Sequence, residues 1–457
     1  MKNSTLLKYS VAGGGDSALY SYVNTFWLYW LTTVSGVPPV VAGTVTAVGA
    51  VFQAVAGPFF AAWSDRSRHR LGRRRPFVIF ASLPLGFFAC LMFADPPFGG
   101  PLRVAVAVLL GAVFWSLFAA FFIPHLAWGA EIATDYNERT TIRTYAFVMY
   151  SFGFFLSGVM PPAAEERLCA AGLSAGTAWL LITAAVAVIS SGGILYTGLS
   201  IREQPAKSSG TAALSRFSLK ALAADYRQVL KLRPLRLLIF AVMAYLAGNS
   251  MVVADRMYVF TFQLGFSGSF ISALMLVFGL LAIVVAVPLM KLTKRFDKRT
   301  VLLVCIGAGG VMMILMRALD VTRFSLPLLL LLLFVYVVSN AAYYQLMPAT
   351  FYDICEVDEY ENNVKRAGTI TSTLPMAQAI ASAVGMQALG VRLQFGDFVS
   401  GAASQSPQAL SAVFDCITLI PGILFIVAAL CMFRFPITKE RFGEIKRELT
   451  ARRPTGA

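Results

Sequence analysis

Charge is what this chain of 457 residues has least of. Asp, Glu, Lys and Arg together make 13% of it, against 58% hydrophobic residues and a mean hydropathy of +0.70. That deficit excludes an ordinary water-soluble globular protein and places the chain among integral membrane proteins. Histidine is scarce as well, with only two residues. The six cysteines (Cys90, Cys169, Cys305, Cys355, Cys416, Cys431) stand singly, which excludes a disulfide framework and a spaced metal-ligand set. No Walker loop, HExxH or GxSxG occurs, so nucleotide-driven pumping within the chain and the common hydrolytic constellations are excluded; no enzyme, cofactor or metal is expected. After MKNSTLLKYS there is no small-residue cleavage site, and the first apolar span is expected to stay in the mature protein.

What is present is a series of apolar stretches. Twelve are long enough to cross a hydrocarbon core of about 30 Å, at 7–33, 39–64, 76–94, 102–130, 145–163, 177–199, 235–263, 266–290, 300–318, 326–352, 367–391 and 412–433. The expected fold class is therefore all-α integral membrane with 12 transmembrane helices. Basic residues are unevenly placed. All but six of the 38 lysines and arginines fall on one side of the spans, the exceptions being Arg103, Arg167, Arg256, Arg317, Arg323 and Arg392. Because Lys and Arg resist translocation, this puts both termini on the cytoplasmic side. The net charge of +15 thus reflects topology rather than nucleic-acid binding, and the expected surroundings are the bilayer of a cell inner membrane.

Six spans precede the polar, basic stretch 200–234 and six follow it, and the halves repeat each other. GPFFAAWSDRSRHRLGRRRPFVIF has a weaker partner in VPLMKLTKRFDKRTVLLV, with Pro58 answering Pro288. IPHLAWGAEIATDYNER answers LMPATFYDICEVDEYENNVKR, with Pro124 matching Pro348 at an offset of 224. The expected organisation is an N-terminal bundle (1–199), a cytoplasmic linker (200–234), a C-terminal bundle (235–433) and a tail (434–457). In the tail Ile437, Phe442, Ile445 and Leu449 share a helical face, which predicts an amphipathic helix lying on the inner membrane surface.

Ionisable residues within spans are costly and so mark candidate functional sites. Asp16 lies in the first span behind Gly13–Gly15, about 12 Å along a helix from Lys8. His125 follows Pro124 in the fourth span and could exchange protons near neutral pH. Asp255 and Arg256 stand together in the seventh, pointing about 100° apart. Gln53, Asn249, Asn340 and Gln378 add uncharged hydrogen-bonding groups, and Trp27, Trp30, Trp128, Tyr343 and Tyr344 offer aromatic faces. Each of these has a plainer reading as a packing or helix-bridging residue.

The stretch Pro58…Arg68-x-Arg70-x-Gly72-Arg73…Pro76, with Asp135-Tyr136-Asn137-Glu138-Arg139 and DICEVDEYENNVKRAG, resembles the glycoside–pentoside–hexuronide:cation symporters, the branch of the major facilitator superfamily that includes the melibiose carrier. The resemblance implies two six-helix bundles working by alternating access, with a cytoplasmic gate drawn from Asp65, Arg73, Arg74, Arg75, Glu131, Asp135, Arg139, Asp353, Lys365 and Arg366. The sequence departs from the family where the cation would bind. In place of the family's Asp-x-x-x-Asp-Pro on helix 2 it has Gln53-Ala54-Val55-Ala56-Gly57-Pro58, and Ala119, Phe122, Phe147 and Gln378 or Ala379 stand where other polar ligands fall. Of the acidic sugar ligands Asp16 remains.

These observations lead to a secondary transporter for a small organic solute, a sugar or glycoside by the resemblance, acting as a monomer. Coupling is expected to be to a co-transported proton through Asp16 and His125, or absent altogether, rather than to sodium, since the oxygen cage a hard cation needs is missing. A carrier of an amphiphile such as a lysolipid, and a non-transporting sensor or assembly factor, remain the alternatives.

Overall fold

A computed structural model describes residues 3–67, 69–132, 145–146, 148–202, 227–319, 326–362 and 367–452. The described residues are helical and contain no strand. In chain order the helices are α1 (Asn3–Thr33), α2 (Pro39–Arg66), α3 (Arg75–Met92), α4 (Gly100–Ile132), α5 (148–170), α6 (Ala175–Ser200), α7 (Arg233–Tyr258), α8 (Gly268–Arg295), α9 (Lys298–Ala318), α10 (Leu326–Asn362), α11 (Ala367–Phe395), α12 (Pro407–Phe433, broken at Thr418) and α13 (Lys439–Arg452). Nine spans among the described residues are long and apolar enough to cross a membrane; α1, α5 and α10 occupy the three other stretches expected to span. Their lipid-type surfaces are explicit in exposed Phe80, Leu83 and Phe87 on α3 and Leu280, Val284 and Val287 on α8. Helices α2 and α3 meet in the Asp65–Arg75 loop, which forms their basic end.

Local sequence explains most of the boundaries. Proline opens α2 at Pro39, where its fixed φ suits the first turn and its missing N–H costs nothing. Asp297 caps α9, its side chain accepting from the Arg299 N–H. The charged run after Met347 ends the apolar pattern but not the helix, so α10 continues to Asn362, beyond the expected limit of 352. Two single-turn π segments, Phe155–Val159 in α5 and Val259–Gln263 after α7, have no hydropathy signature.

The chain forms two compact units. Unit 1 comprises Met1–Leu214, Val253–Leu276 and Met386–Val413; unit 2 comprises Ser215–Val252, Val277–Gly385 and Phe414–Ala457. Inside unit 1, α3 packs on α6 and on α4; inside unit 2, α9 packs on α12 and on α10. Small residues make these approaches. A Cβ on Gly86 of α3 would stand 2.3 Å from Ser191 Oγ of α6, and one on Gly310 of α9 would stand 2.8 Å from the Gly422 carbonyl of α12. The correspondence extends to single side chains. Arg75, opening α3, donates from Nε to the Gly198 carbonyl (2.7 Å) and from Nη2 to that of Leu199 (3.3 Å), at the carboxyl end of α6. Arg299, opening α9, donates to the carbonyls of Met432 (3.1 Å) and Phe433 at the carboxyl end of α12. The offset between the arginines is 224, the same as between Pro124 and Pro348.

The tail departs from its expected place. Ile437, Ile445 and Leu449 are buried in protein rather than left for a lipid surface, because α13 packs on α10, with Tyr360 donating to Glu448 (2.6 Å) and the Lys298 ammonium lying 5.9 Å from the Phe442 ring centre. An amphipathic pattern demands a cover for its apolar face but does not say whether lipid or protein supplies it.

Removing either arginine takes a charged donor from two helix-end carbonyls, each worth about 1–2 kcal/mol. Arg75→Ala and Arg299→Ala are each expected to lower the unfolding temperature of the detergent-solubilised protein by a few degrees, and Gly310→Val to lower it further; intrinsic-fluorescence melting curves read the effect.

Candidate functional site

Asp16 sits on the stretch of α1 where backbones come closest. A Cβ on Gly15 would stand 2.5 Å from the Ser190 carbonyl of α6, and one on Gly153 of α5 would stand 2.2 Å from the Gly14 carbonyl. Three consecutive glycines thus let α5 and α6 close around the carboxylate, which is 2% exposed. Tyr150 of α5 donates its hydroxyl to Asp16 Oδ2, and the Tyr150 carbonyl accepts from Ser17 Oγ at 2.8 Å. A carboxylate enclosed by helices with a phenolic donor can take up or release one proton, and offers too few oxygens to cage a metal cation. Tyr150 carried no sequence signal of its own, since a tyrosine near the end of a span is commonplace.

His125 belongs to a different cluster. Its ring stacks on Tyr9 (centroids 4.3 Å apart) and on Phe121 (5.4 Å), and the Tyr9 hydroxyl donates to the His125 carbonyl at 2.8 Å. Nδ1 is buried and has no hydrogen-bond partner among the described residues. Tyr9 precedes Asp16 by seven residues, about 10 Å along α1. The structure therefore places His125 and Asp16 in separate clusters, and the side chain that touches the Asp16 carboxylate is Tyr150.

In unit 2, Asn249 of α7 accepts at Oδ1 from both the Tyr336 hydroxyl and Asn340 Nδ2 of α10, each at 2.8 Å. Aromatic rings back this group: Tyr245 lies flat between Tyr343 (4.2 Å) and Phe425 (4.3 Å). Tyr336 and Tyr245 are additions to the sequence-derived set, while Gln53 and Gln378 are half-buried on α2 and α11 and join neither polar cluster.

Away from the basic end, unit 1 contains a seam of polar contacts. Arg256 donates to Thr25 Oγ1 (3.0 Å), and the hydroxyls of Tyr258 and Thr32 meet at 2.6 Å. Ser400 donates to the Val37 carbonyl at 2.8 Å. Glu166, on the extension of α5, accepts from both the N–H and the hydroxyl of Ser269 at the start of α8, each at 2.7 Å. These hydrogen bonds hold its carboxyl below the usual glutamate range, and the amino end of a helix favours the negative charge. Next to it the Ala163 N–H, just past Pro161 and Pro162, donates to Ser272 Oγ (3.0 Å). Asp255 is fully buried, and neither of its oxygens has a hydrogen-bond partner among the described residues. Glu166 was missed because a glutamate beyond the end of a span looks like solvated loop.

In unit 1 Arg74 pairs with Asp65 (2.8 Å), and in unit 2 Lys298 pairs with Asp353 (2.7 Å). Arg73 is half-buried in the turn before α3, and Arg75 caps α6. Glu131 lies in the last turn of α4. Asp135, Arg139, Lys365 and Arg366 fall outside the described residues. Among the described residues no group of His, Cys, Asp and Glu could hold a metal ion.

Comparison with known proteins agrees with this architecture. Residues 9–439 match the family described as MFS/sugar transport protein. The isoprimeverose transporter of Lactiplantibacillus pentosus is 23% identical over 442 residues, covering 95% of this chain and 89% of the relative. The glucuronide carrier protein homolog of Escherichia coli (strain K12) is 24% identical over 459 residues, covering 98% and 96%. Among solved structures, a D-xylose-proton symporter superposes with a TM-score of 0.64 at 14% identity, covering 95% of this chain and 97% of that one, which supports the fold. With its membrane-length apolar helices and repeated helix pairs, the chain is a multi-pass membrane transporter, not an enzyme, and belongs to the MFS/sugar transport protein family.

Proposed function

We propose that this protein is a proton-coupled symporter of the inner membrane that carries a sugar or glycoside by alternating access. The observation that carries the reading is Asp16, a buried carboxylate hydrogen-bonded by Tyr150 at a glycine-lined crossing of helices. A proton is the ion such a site suits, and the departures from the family's acidic pattern at Gln53 and Gly57 argue against sodium. The solute class is supported by what the relatives are named for, an isoprimeverose and a glucuronide. The amide and hydroxyl groups of Asn249, Asn340 and Tyr336, set against tyrosine rings, are the chemistry that recognises sugar hydroxyls and ring faces.

In this reading residues 1–199 and 235–433 are the bundles that move, the protein works as a monomer, and the basic end with both termini faces the cytoplasm, as the bias of lysine and arginine favours. The seam of Arg256 with Thr25, Tyr258 with Thr32 and Glu166 with Ser269 then closes the outer side, and each contact has to break for solute to enter from outside. Asp255 and Arg256 act in that outer gate. Asp65, Arg73, Arg74, Arg75, Glu131, Asp135, Arg139, Asp353, Lys365 and Arg366 serve the cytoplasmic one.

In inverted or whole-cell vesicles, uptake of a panel of pentosides, hexuronides and glycosides is expected to rise with an imposed pH gradient and to be unchanged when sodium is replaced by choline. Asp16→Asn should abolish accumulation against a gradient while sparing downhill exchange; equal gradient-driven accumulation in the variant contradicts the coupling assignment. Asn249→Ala is expected to raise KM by roughly tenfold, the equivalent of one or two lost hydrogen bonds, with kcat little changed.

A further inference from the structure

The first three turns of α7 are divided into two unlike faces. Leu235, Leu238, Ala241 and Val242 are fully buried. On the other face Arg233, Arg236, Leu237 and Phe240 line an open surface depression of about 270 Å³. Arg236 and Leu237 follow Arg233 by three and four residues, and Phe240 follows them by four and three, so the four side chains share one stripe of the helix. The stripe is graded. Arg233 and Arg236 lie in the opening turn and are exposed, Leu237 is half-buried, and Phe240, about 6 Å deeper than Arg236 along the axis, is 60% exposed. Among the described residues no acidic side chain lines the depression, and neither guanidinium has a hydrogen-bond or ion-pair partner.

Two unpaired guanidinium groups above an exposed apolar ring have the polarity of an amphiphile with an anionic head. A guanidinium's fixed fork of N–H donors matches phosphate oxygens, and a pair spaced one turn apart can share a single phosphodiester. The exposed Phe240 sits where an acyl chain leaves its head group. Asn249 lies on roughly the opposite side of α7, directed at Tyr336 and Asn340, so the stripe is separate from the polar cluster proposed for the solute. The basic end of α7 is also where a membrane–water boundary would fall, since the helix turns apolar immediately after Arg236.

We propose that Arg233 and Arg236 hold the phosphate of an anionic phospholipid, with Phe240 and Leu237 against its acyl chain, as a specific lipid site on unit 2. The site concerns lipid and not solute, so it stands apart from the sugar and proton assignments; the orientation proposed above decides only the leaflet, the cytoplasmic one.

The test is native mass spectrometry of the full-length protein in dodecyl maltoside, titrated with dioleoylphosphatidylglycerol or dioleoylphosphatidylcholine. The wild type is expected to retain phosphatidylglycerol in preference to phosphatidylcholine. The double variant R233A/R236A should bind phosphatidylglycerol on the order of tenfold more weakly. The variant R70A, which removes an exposed arginine of the loop between α2 and α3, should bind it as the wild type does. Melting curves matching the wild type's show that the variants are folded; both arginines are exposed. Equal phosphatidylglycerol affinity in R233A/R236A overturns the proposal. So does an equal loss in R70A, which indicates diffuse attraction to exposed arginines, and so does displacement of the lipid by millimolar inorganic phosphate, which indicates a site for free phosphate.

Discussion

The last carbonyls of a helix have no partner within it, and hydrocarbon offers none. A bundle crossing a bilayer has to find donors for them without burying a charge that then goes unpaired. In this chain arginine supplies the donors twice, at equivalent places. Arg75 reaches from the start of α3 to the end of α6, and Arg299 from the start of α9 to the end of α12. Each cation meets the negative end of a helix dipole, and each ties the third helix of a repeat to the sixth. The close packing of α3 on α6 and of α9 on α12 follows from that tie together with the small residues at the two crossings. The most basic loop of the sequence is thus part of the structural frame on which any gate would have to turn.

The same scarcity of partners gives the few ionised or ionisable groups elsewhere their meaning. Asp16 is enclosed by glycine-rich crossings and receives one phenolic hydroxyl, an arrangement that suits a transferable proton. His125 lies flat between aromatic rings in what is otherwise a packing layer. Glu166 stands at the other extreme, half-buried and doubly hydrogen-bonded at the start of α8, where charge is favourable. Three kinds of site follow from three degrees of solvation.

How much of this was legible in the sequence depends on what kind of partner a residue has. The membrane-length apolar stretches and their repeat were legible because hydropathy and the Pro124–Pro348 correspondence are properties of the chain alone. Asp16 stood out because a carboxylate within a span is costly. Tyr150 did not, being an ordinary membrane-boundary tyrosine until α5 folds beside α1. The arginines of the Asp65–Arg75 loop were visible as charges, but the acceptors of Arg75 are backbone carbonyls, which every residue has and no sequence pattern marks. Ile445 and Leu449 announced a buried face without saying what buries it, and α10 proved to be the cover. The π turns at Phe155–Val159 and Val259–Gln263 left no trace in hydropathy because they change hydrogen-bond register, not composition.

The central claim, that solute and proton move together, is tested most directly with a pH electrode in a lightly buffered, de-energised suspension of cells expressing the protein. Adding a transported glycoside is expected to make the medium transiently alkaline, to the same extent in sodium-free and sodium-containing medium. Solute entry without alkalinisation, accompanied by sodium uptake at a sodium electrode, would contradict the account.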